Sequence, residues 1–144
     1  MQLIGFNFKK ISAERFPNFK SNTGINTNIN FLDIDKEKID ILKELETIKI
    51  SFHFSVDYGT NTEGKDEKDA QICFDGTILL SLDKEESKAI FKSWKKKQLP
   101  ESMRLPLFNL ILNKCSIRAL QLEEEIGIPS HVPLPRIAKK EDNK

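Results

Sequence analysis

The side chains able to do chemistry are few and scattered in this chain of 144 residues. It holds two histidines, His53 and His131, and two cysteines, Cys73 and Cys115. Neither histidine has a second histidine or an acidic residue at metal-ligand spacing, so we expect a structural or solvent-exposed role for each. Both cysteines lie among apolar residues, which predicts small buried hydrophobes rather than activated thiolates. The sequence therefore predicts no metal site, no catalytic residue and no enzyme.

The six glycines also form no phosphate-binding loop. None stands between a strand and a helix with a following Lys and Ser or Thr, the arrangement that cradles a nucleotide phosphate. We accordingly expect no cofactor.

The charges nearly cancel, with 23 basic and 22 acidic side chains and a net charge of +1. Such a chain has no overall field to attract nucleic acid or an anionic membrane, and it contains no long apolar span. The runs Glu123–Glu125 and Lys95–Lys97 are most simply solvated helix faces, although each remains a candidate docking patch. Lys95–Lys97 beside Trp94 also leaves nucleic-acid contact as a weak alternative. We predict a reduced, cytoplasmic protein without nucleic-acid partners or membrane insertion.

Alternating apolar residues predict strands through the first half of the chain. Gly76, inside the last of these strands, indicates a bulge or a close approach of backbone. Residues 35–46 favour a short helix or only a turn, and residues 59–69 favour a long hairpin with a mobile tip. The alternating positions are Ile4, Phe6 and Phe8; Ile25, Thr27, Ile29 and Phe31; Ile48, Ile50, Phe52, Phe54, Val56 and Tyr58; and Ile72, Phe74, Ile78, Leu80 and Leu82.

After Leu82 the period changes to that of helices. Asp83 and Glu86 form a capping box for a helix over residues 84–97. Residues 98–104 are predicted to be a linker, and Pro106 to begin a long helix that ends at Gly127. Its main apolar stripe comprises Leu107, Phe108, Ile111, Leu112, Cys115, Ala119, Leu122 and Ile126.

A second apolar stripe runs along the same long helix, at Leu110, Ile117 and Leu120. A helix apolar on two sides needs a second layer, and the chain has little left to supply one, so we infer oligomerisation through these residues. Residues 130–137 predict an extended apolar strap, and residues 138–144 a charged, disordered tail. One domain is thus expected over residues 1–137.

The apolar residues are more than one small core requires, and ten of the twelve aromatic residues are Phe. For any single residue, burial within the fold or an oligomer interface is the simpler explanation. Taken together, these residues make a peptide-binding groove between the sheet and the helices a serious alternative.

The chain resembles the SecB family of protein-export chaperones, including the SecB-like chaperones associated with toxin-antitoxin systems. The resemblance lies in the order of elements and in four patches, namely Ile72-Cys73, Asp75 to Leu79, Leu105-Pro106 and Leu107 to Asn109, followed by a proline-marked apolar C-terminal segment. It implies an α+β fold in which a four-stranded antiparallel sheet carries a crossover helix and a long C-terminal helix on one face. It also implies a homotetramer built as a dimer of dimers, with the long helices sandwiched between sheets.

The function implied by the resemblance is that of an ATP-independent holdase, which binds unfolded polypeptides or preproteins in hydrophobic grooves. The alternative is a dedicated interaction module that holds one specific peptide, such as a segment of an antitoxin. Phe74 stands where the export members place an acidic residue for docking the motor SecA, so a SecA-type partner is not expected. Carried onto this sequence, the groove comprises Phe91, Trp94, Leu99, Leu105, Phe108, Val132, Leu134 and Ile137.

Overall fold

Four long strands are followed along the chain by two helices. The computed structural model describes residues 1–17, 19, 24–37, 45–59, 69–135 and 137. The elements are β1 (Gln2–Arg15), β2 (Ile25–Glu37), β3 (Leu45–Tyr58), β4 (Ala70–Asp83), α1 (Lys84–Trp94) and α2 (Glu101–Ile126). The predicted α+β architecture, a four-stranded antiparallel sheet with two helices packed on it, is confirmed.

The strands form one antiparallel sheet in the order β1-β4-β3-β2. Its two faces follow from the alternation in the sequence. The inner face is covered by the helices, and its central side chains on β3 and β4 are almost fully buried, whereas polar side chains occupy the outer face. The inner face comprises Ile48, Ile50, Phe52, Phe54, Val56 and Tyr58 on β3, and Ala70, Ile72, Phe74, Ile78, Leu80 and Leu82 on β4.

Gly76 marks a close approach of backbone and ring, as its position in the strand predicted. A Cβ atom there would lie 2.6 Å from the Phe52 ring and 2.7 Å from the carbonyl oxygen of Asn7. Because the carbonyl belongs to the paired strand β1, neither neighbour has room to yield. The missing side chain of Gly76 makes the space that the Phe52 ring fills.

Helix α1 begins as predicted and ends earlier. The Asp83 side chain accepts a hydrogen bond from the backbone of Glu86, and the Glu86 side chain accepts one from the backbone of Asp83. The helix stops at Trp94 rather than at residue 97, and Lys97 adopts a left-handed conformation with φ of 58°. The lysine run therefore forms a turn that leads the chain towards α2.

Helix α2 begins at Glu101, so the prediction of a linker over residues 98–104 and a start at Pro106 was wrong. The backbone amides of Met103 and Arg104 already bond to the carbonyl of Pro100, which closes the first turn upstream. Pro106 then costs only one intrahelical bond near the helix start, where the helix tolerates it. The helix ends at Gly127, whose φ of 70° is the left-handed conformation typical of a glycine cap.

Two further expectations need correction. The prediction of a short helix over residues 35–46 was wrong at both ends, because β2 runs to Glu37 and β3 starts at Leu45. Residues 38–44 lie outside the described part of the chain. Cys73 is not in the core, because its register partner is Ser55 on the polar outer face, where it is half-buried. The hairpin tip at 60–68 and the tail at 138–144 also lie outside the described residues.

Candidate functional site

A depression lies between the edge strand β2, the end of α1 and the start of α2, and we call it the Trp94 depression. Its volume is about 230 Å³. The Phe31 and Phe108 rings pack with their centroids 5.2 Å apart, and the Lys97 ammonium lies 5.2 Å from the Trp94 ring centroid. The lining residues are Ile29, Asn30, Phe31, Trp94, Lys97, Gln98, Leu99, Arg104 and Phe108.

A second depression, here called the Phe91 depression, lies between α1 and β2 and has a volume of about 460 Å³. The Lys36 ammonium lies 5.5 Å from the Phe91 ring centroid and 3.5 Å from a Glu46 carboxylate oxygen. The buried Ser87 hydroxyl donates a hydrogen bond to the same carboxylate. This bond and the Lys36 charge hold the pKa of Glu46 below its ordinary value. The lining residues are Lys36, Ser87, Lys88, Phe91, Lys92 and Lys95.

A third depression, the Leu134 depression, lies where the C-terminal segment crosses the end of α2 and has a volume of about 500 Å³. Leu120 and Leu134 face it together with the buried Ile128. The other lining residues are Gln121, Glu123, Glu124 and Ser130.

The structure brings the residues of the predicted groove together only in part. Trp94, Leu99 and Phe108 share one depression, while Phe91 and Leu134 each line another. Leu99 is only 3% exposed, so it is part of the core behind the Trp94 depression. Leu105, Val132 and Ile137 line none of the three; Leu105 and Ile137 are exposed and Val132 is half-buried.

The Trp94 and Leu134 depressions lie at different heights along α2. Phe108 and Leu120, which line the first and the third, are twelve residues apart on α2. At 1.5 Å per helical residue they are separated by about 18 Å along the axis. A ligand that reaches both ends of α2 must therefore be extended.

Three apolar side chains of α2, Leu110, Ile117 and Leu120, lie outside its buried stripe. The buried stripe faces the core and includes Leu107 and Ile111. Ile117 is 64% exposed, and Leu110 and Leu120 are half-buried. Leu110 packs against the core and Leu120 lines the Leu134 depression, so Ile117 is the most exposed of these three side chains.

A buried polar cluster, comprising Tyr58, Ser116, Glu123 and His131, lies at the opposite end of α2 from the Trp94 depression. The side chains of Glu123 and His131 are 2% and 1% exposed, and the His131 Nδ1 atom contacts the Glu123 carboxylate. The His131 backbone amide donates to the same carboxylate at 2.9 Å, and the Tyr58 hydroxyl at 3.1 Å. The Tyr58 hydroxyl also lies 2.7 Å from the carbonyl of Pro129, so the C-terminal segment is anchored to β3 as well.

Sequence reasoning missed this cluster and treated Glu123 as part of a solvated acidic run. Glu123 is buried because it follows Cys115 and Ala119 at spacings of four residues on the buried stripe. The spacing itself was the signal, since an acidic residue on a core-facing stripe requires a partner there. Burial also raises the pKa of Tyr58 well above its usual value, with a further contribution from the neighbouring Glu123 charge.

The His131 Nε2 atom lies 3.1 Å from the Ser116 hydroxyl, which completes a serine, histidine and glutamate relay. Hydrolases use this order of groups, but they also need donors aimed at a developing oxyanion. Ser116 lies in the middle of α2, where the neighbouring backbone amides already bond within the helix. The relay therefore fits a role in positioning the C-terminal segment.

The remaining candidate residues are also in pairs or in the core. His53 Nδ1 contacts an Asp75 carboxylate oxygen at 2.5 Å on the half-exposed outer face of the sheet. Cys115 is buried as predicted, and burial raises the pKa of its thiol to about 12. Among the described residues, no three His, Cys, Asp or Glu side chains are grouped as metal ligands, and no helix has the length and hydropathy to cross a membrane.

No family model matches the chain, and no curated protein matches it. Among solved structures, the chain is similar to the SecB-like chaperone of Mycobacterium tuberculosis in complex with a ChAD peptide from the HigA1 antitoxin. The identity is 15%, the match covers 97% of this chain and 92% of that chain, and the TM-score is 0.49.

The residues that line the three depressions offer apolar contact and charge pairing. The Phe91 and Trp94 depressions offer half-exposed rings beside lysines, and the Leu134 depression offers aliphatic side chains beside carboxylates. Such surfaces can contact a ligand by burying apolar area and pairing charges.

Proposed function

We propose that the protein is an ATP-independent holdase, which binds unfolded or preprotein polypeptides and prevents their aggregation. The observation that supports it most is the half-exposed aromatic set Phe91, Trp94 and Phe108 at two depressions, with the exposed Leu105 nearby on α2. An unfolded client offers scattered apolar side chains, each stabilised by about 1.5 to 3 kcal/mol on full burial. Many such contacts give binding with little sequence preference.

The proposal includes a homotetramer, a dimer of dimers, assembled through Leu110, Ile117 and Leu120. Its support is the exposed Ile117, which lies on α2 with the half-buried Leu110 and Leu120. The mass measured by light scattering at micromolar concentration tests it, and a monomeric mass would exclude it.

The decisive experiment is the aggregation of a chemically unfolded model protein diluted into buffer without ATP. We expect suppression of light scattering at equimolar tetramer or below. Absence of suppression across a wide range of ratios would contradict the holdase function. Assistance in protein export and a cytoplasmic location are parts of this proposal, and recovery of preproteins from cell extracts tests the first of them.

A dedicated module for one peptide is the second candidate. The separation of the three depressions favours it, because fixed subsites of different lining select a ligand of matching spacing. Recovery of many unrelated unfolded chains supports the holdase, whereas saturable binding of one peptide and no unfolded client supports the module.

A further inference from the structure

The charged side chains that line the Trp94 and Phe91 depressions are all cationic. Within the described residues, no Asp or Glu lines either depression. The net charge of +1 therefore conceals a local separation of charge. The six cations are Lys36, Lys88, Lys92, Lys95, Lys97 and Arg104.

Three of these cations are already engaged by the protein. Lys36 pairs with Glu46, Lys97 lies over the Trp94 ring, and the Arg104 guanidinium donates to the carbonyl of Leu99 at 3.1 Å. These contacts fix the positions of the charges around the two depressions.

The other three cations form a row: Lys88 and Lys92 on α1, and Lys95 at its C-cap. In the described part of the chain none of them makes an ion pair, and all three are exposed. Their spacings of four and three residues place them on one side of the helix, where like charges repel. An anion bound beside Phe91 relieves that repulsion.

The aromatic rings favour a polypeptide over nucleic acid as the source of this anion. Phe91 and Trp94 each pack against the core, and each lies beneath an ammonium group, from Lys36 and Lys97 respectively. Ring faces occupied in this way are not available as stacking platforms for bases. Ring edges and lysine methylene groups remain, and these suit aliphatic or aromatic side chains.

We propose that the Phe91 and Trp94 depressions select acidic polypeptide segments, in which carboxylates flank apolar side chains. The apolar side chains contact Phe91, Trp94 and Phe108, and the carboxylates pair with the row Lys88, Lys92 and Lys95. This inference rests on the proposed function, because it names the class of polypeptide that the same surface prefers.

The test measures the anisotropy of three labelled unstructured peptides with identical apolar residues and with Glu, Gln or Lys at the intervening positions. We expect the Glu peptide to bind about tenfold more tightly than the Lys peptide, with the Gln peptide between them. The difference should shrink as salt rises from about 50 to 300 mM, since exposed charge pairs are screened. Equal affinities would overturn the inference while leaving the holdase function intact.

A charge-reversal pair locates the effect. The double variant Lys88→Glu/Lys92→Glu should abolish or reverse the preference, whereas Lys9→Glu/Lys10→Glu should preserve it. The control has the same net charge change at two exposed lysines outside both depressions. An unchanged preference in the first variant would overturn the assignment to α1.

Two further arms separate the possible failures. Tight binding of a single-stranded oligonucleotide that depends on Lys88 and Lys92, without preference for the Glu peptide, would assign the row to nucleic acid and overturn the inference. Failure to bind any of the three peptides, together with no suppression of aggregation, would instead contradict the proposed function itself.

Discussion

Charged side chains at the two ends of α2 lie in opposite environments: one is buried at the C-terminal end, and several are exposed near the N-terminal end. At its C-terminal end Glu123 is buried and surrounded by donors from Tyr58 and His131. Near its N-terminal end the lysines of α1 stand exposed beside half-buried rings. In the first arrangement the charge is buried and hydrogen-bonded within the chain, whereas in the second the charges remain exposed.

Charged side chains at the two ends differ in whether they have hydrogen-bond or ion-pair partners within the described chain. Glu123 has its hydrogen-bonding capacity used within the chain, so its loss should damage folding. Lys88 and Lys92 have no ion-pair partner in the described chain, so their replacement should leave the fold intact and change what binds.

The largest expected effect is on stability, at the C-terminal end of α2, which we call the closed end because Glu123 is buried there; the exposed N-terminal end is called the open end. Glu123→Ala leaves the His131 ring, the His131 backbone amide and the Tyr58 hydroxyl without their shared acceptor. We expect a loss of about 3 kcal/mol in the free energy of unfolding, measured with urea. The control Glu125→Ala, at an exposed position on the same helix, should change it by less than about 0.5 kcal/mol. Equal effects of the two substitutions would show that the cluster contributes nothing to stability.

At the open end, Trp94→Ser should weaken client binding more than it weakens the fold. Trp94 is half-buried and lines a depression, so we expect affinity for an unfolded client to fall about tenfold, or about 1.4 kcal/mol. Leu32→Ser is the control, because Leu32 is 55% exposed and lies outside the three depressions. Isothermal titration with a reduced, unfolded client measures both variants. A similar loss in Leu32→Ser would indicate general surface hydrophobicity instead of a site.

The sequence predicted the elements whose pattern is local. The alternation in β3 and β4 correctly assigned the buried face, and the residue types at Asp83 and Glu86 correctly placed the start of α1. The start of α2 was missed because a proline is favoured at the first helical position, whereas here the first turn closes upstream at Pro100. A local rule cannot compare two such starts, since their difference lies in tertiary packing.

The two ends of α2 were harder to predict because their contacts are distant in sequence. Tyr58 and Glu123 are 65 residues apart, and Lys36 on strand β2 contacts Phe91 on helix α1. Trp94, Leu99 and Phe108 are close along the chain, and they line one depression. Whether they bind a client stays a prediction that the experiments above test.

A smaller effect is expected at the closed end, in the dependence of the free energy of unfolding on alkaline pH. The pKa of Tyr58 is raised above the ordinary value of 10, so the stability from its protonated hydroxyl is complete below pH 10 and lost as pH rises further. Tyr58→Phe should cost about 1 kcal/mol at pH 7 and should flatten the decline in the free energy of unfolding above pH 10. Because Tyr58 is the chain's one tyrosine, the phenolate absorbance follows its titration directly. Ionisation near pH 10 in the folded protein would contradict burial beside Glu123.

The smallest expected effect is at the open end and in acid. Since the pKa of Glu46 is lowered by the Ser87 hydrogen bond and by Lys36, its contribution to stability is complete above about pH 4.5 and is lost as pH falls through the folded-state value. Glu46→Gln should therefore reduce stability at pH 7 by less than about 0.5 kcal/mol, as an exposed ion pair does, and should leave a shallower decline between pH 5 and 2. Glu125→Gln, which alters no pair in the described structure, is the control. If Glu46→Gln also raised the affinity for the acidic peptide, Lys36 would be a further cation that binds the ligand. The Lys36–Glu46 pair would then contribute both to stability and to binding.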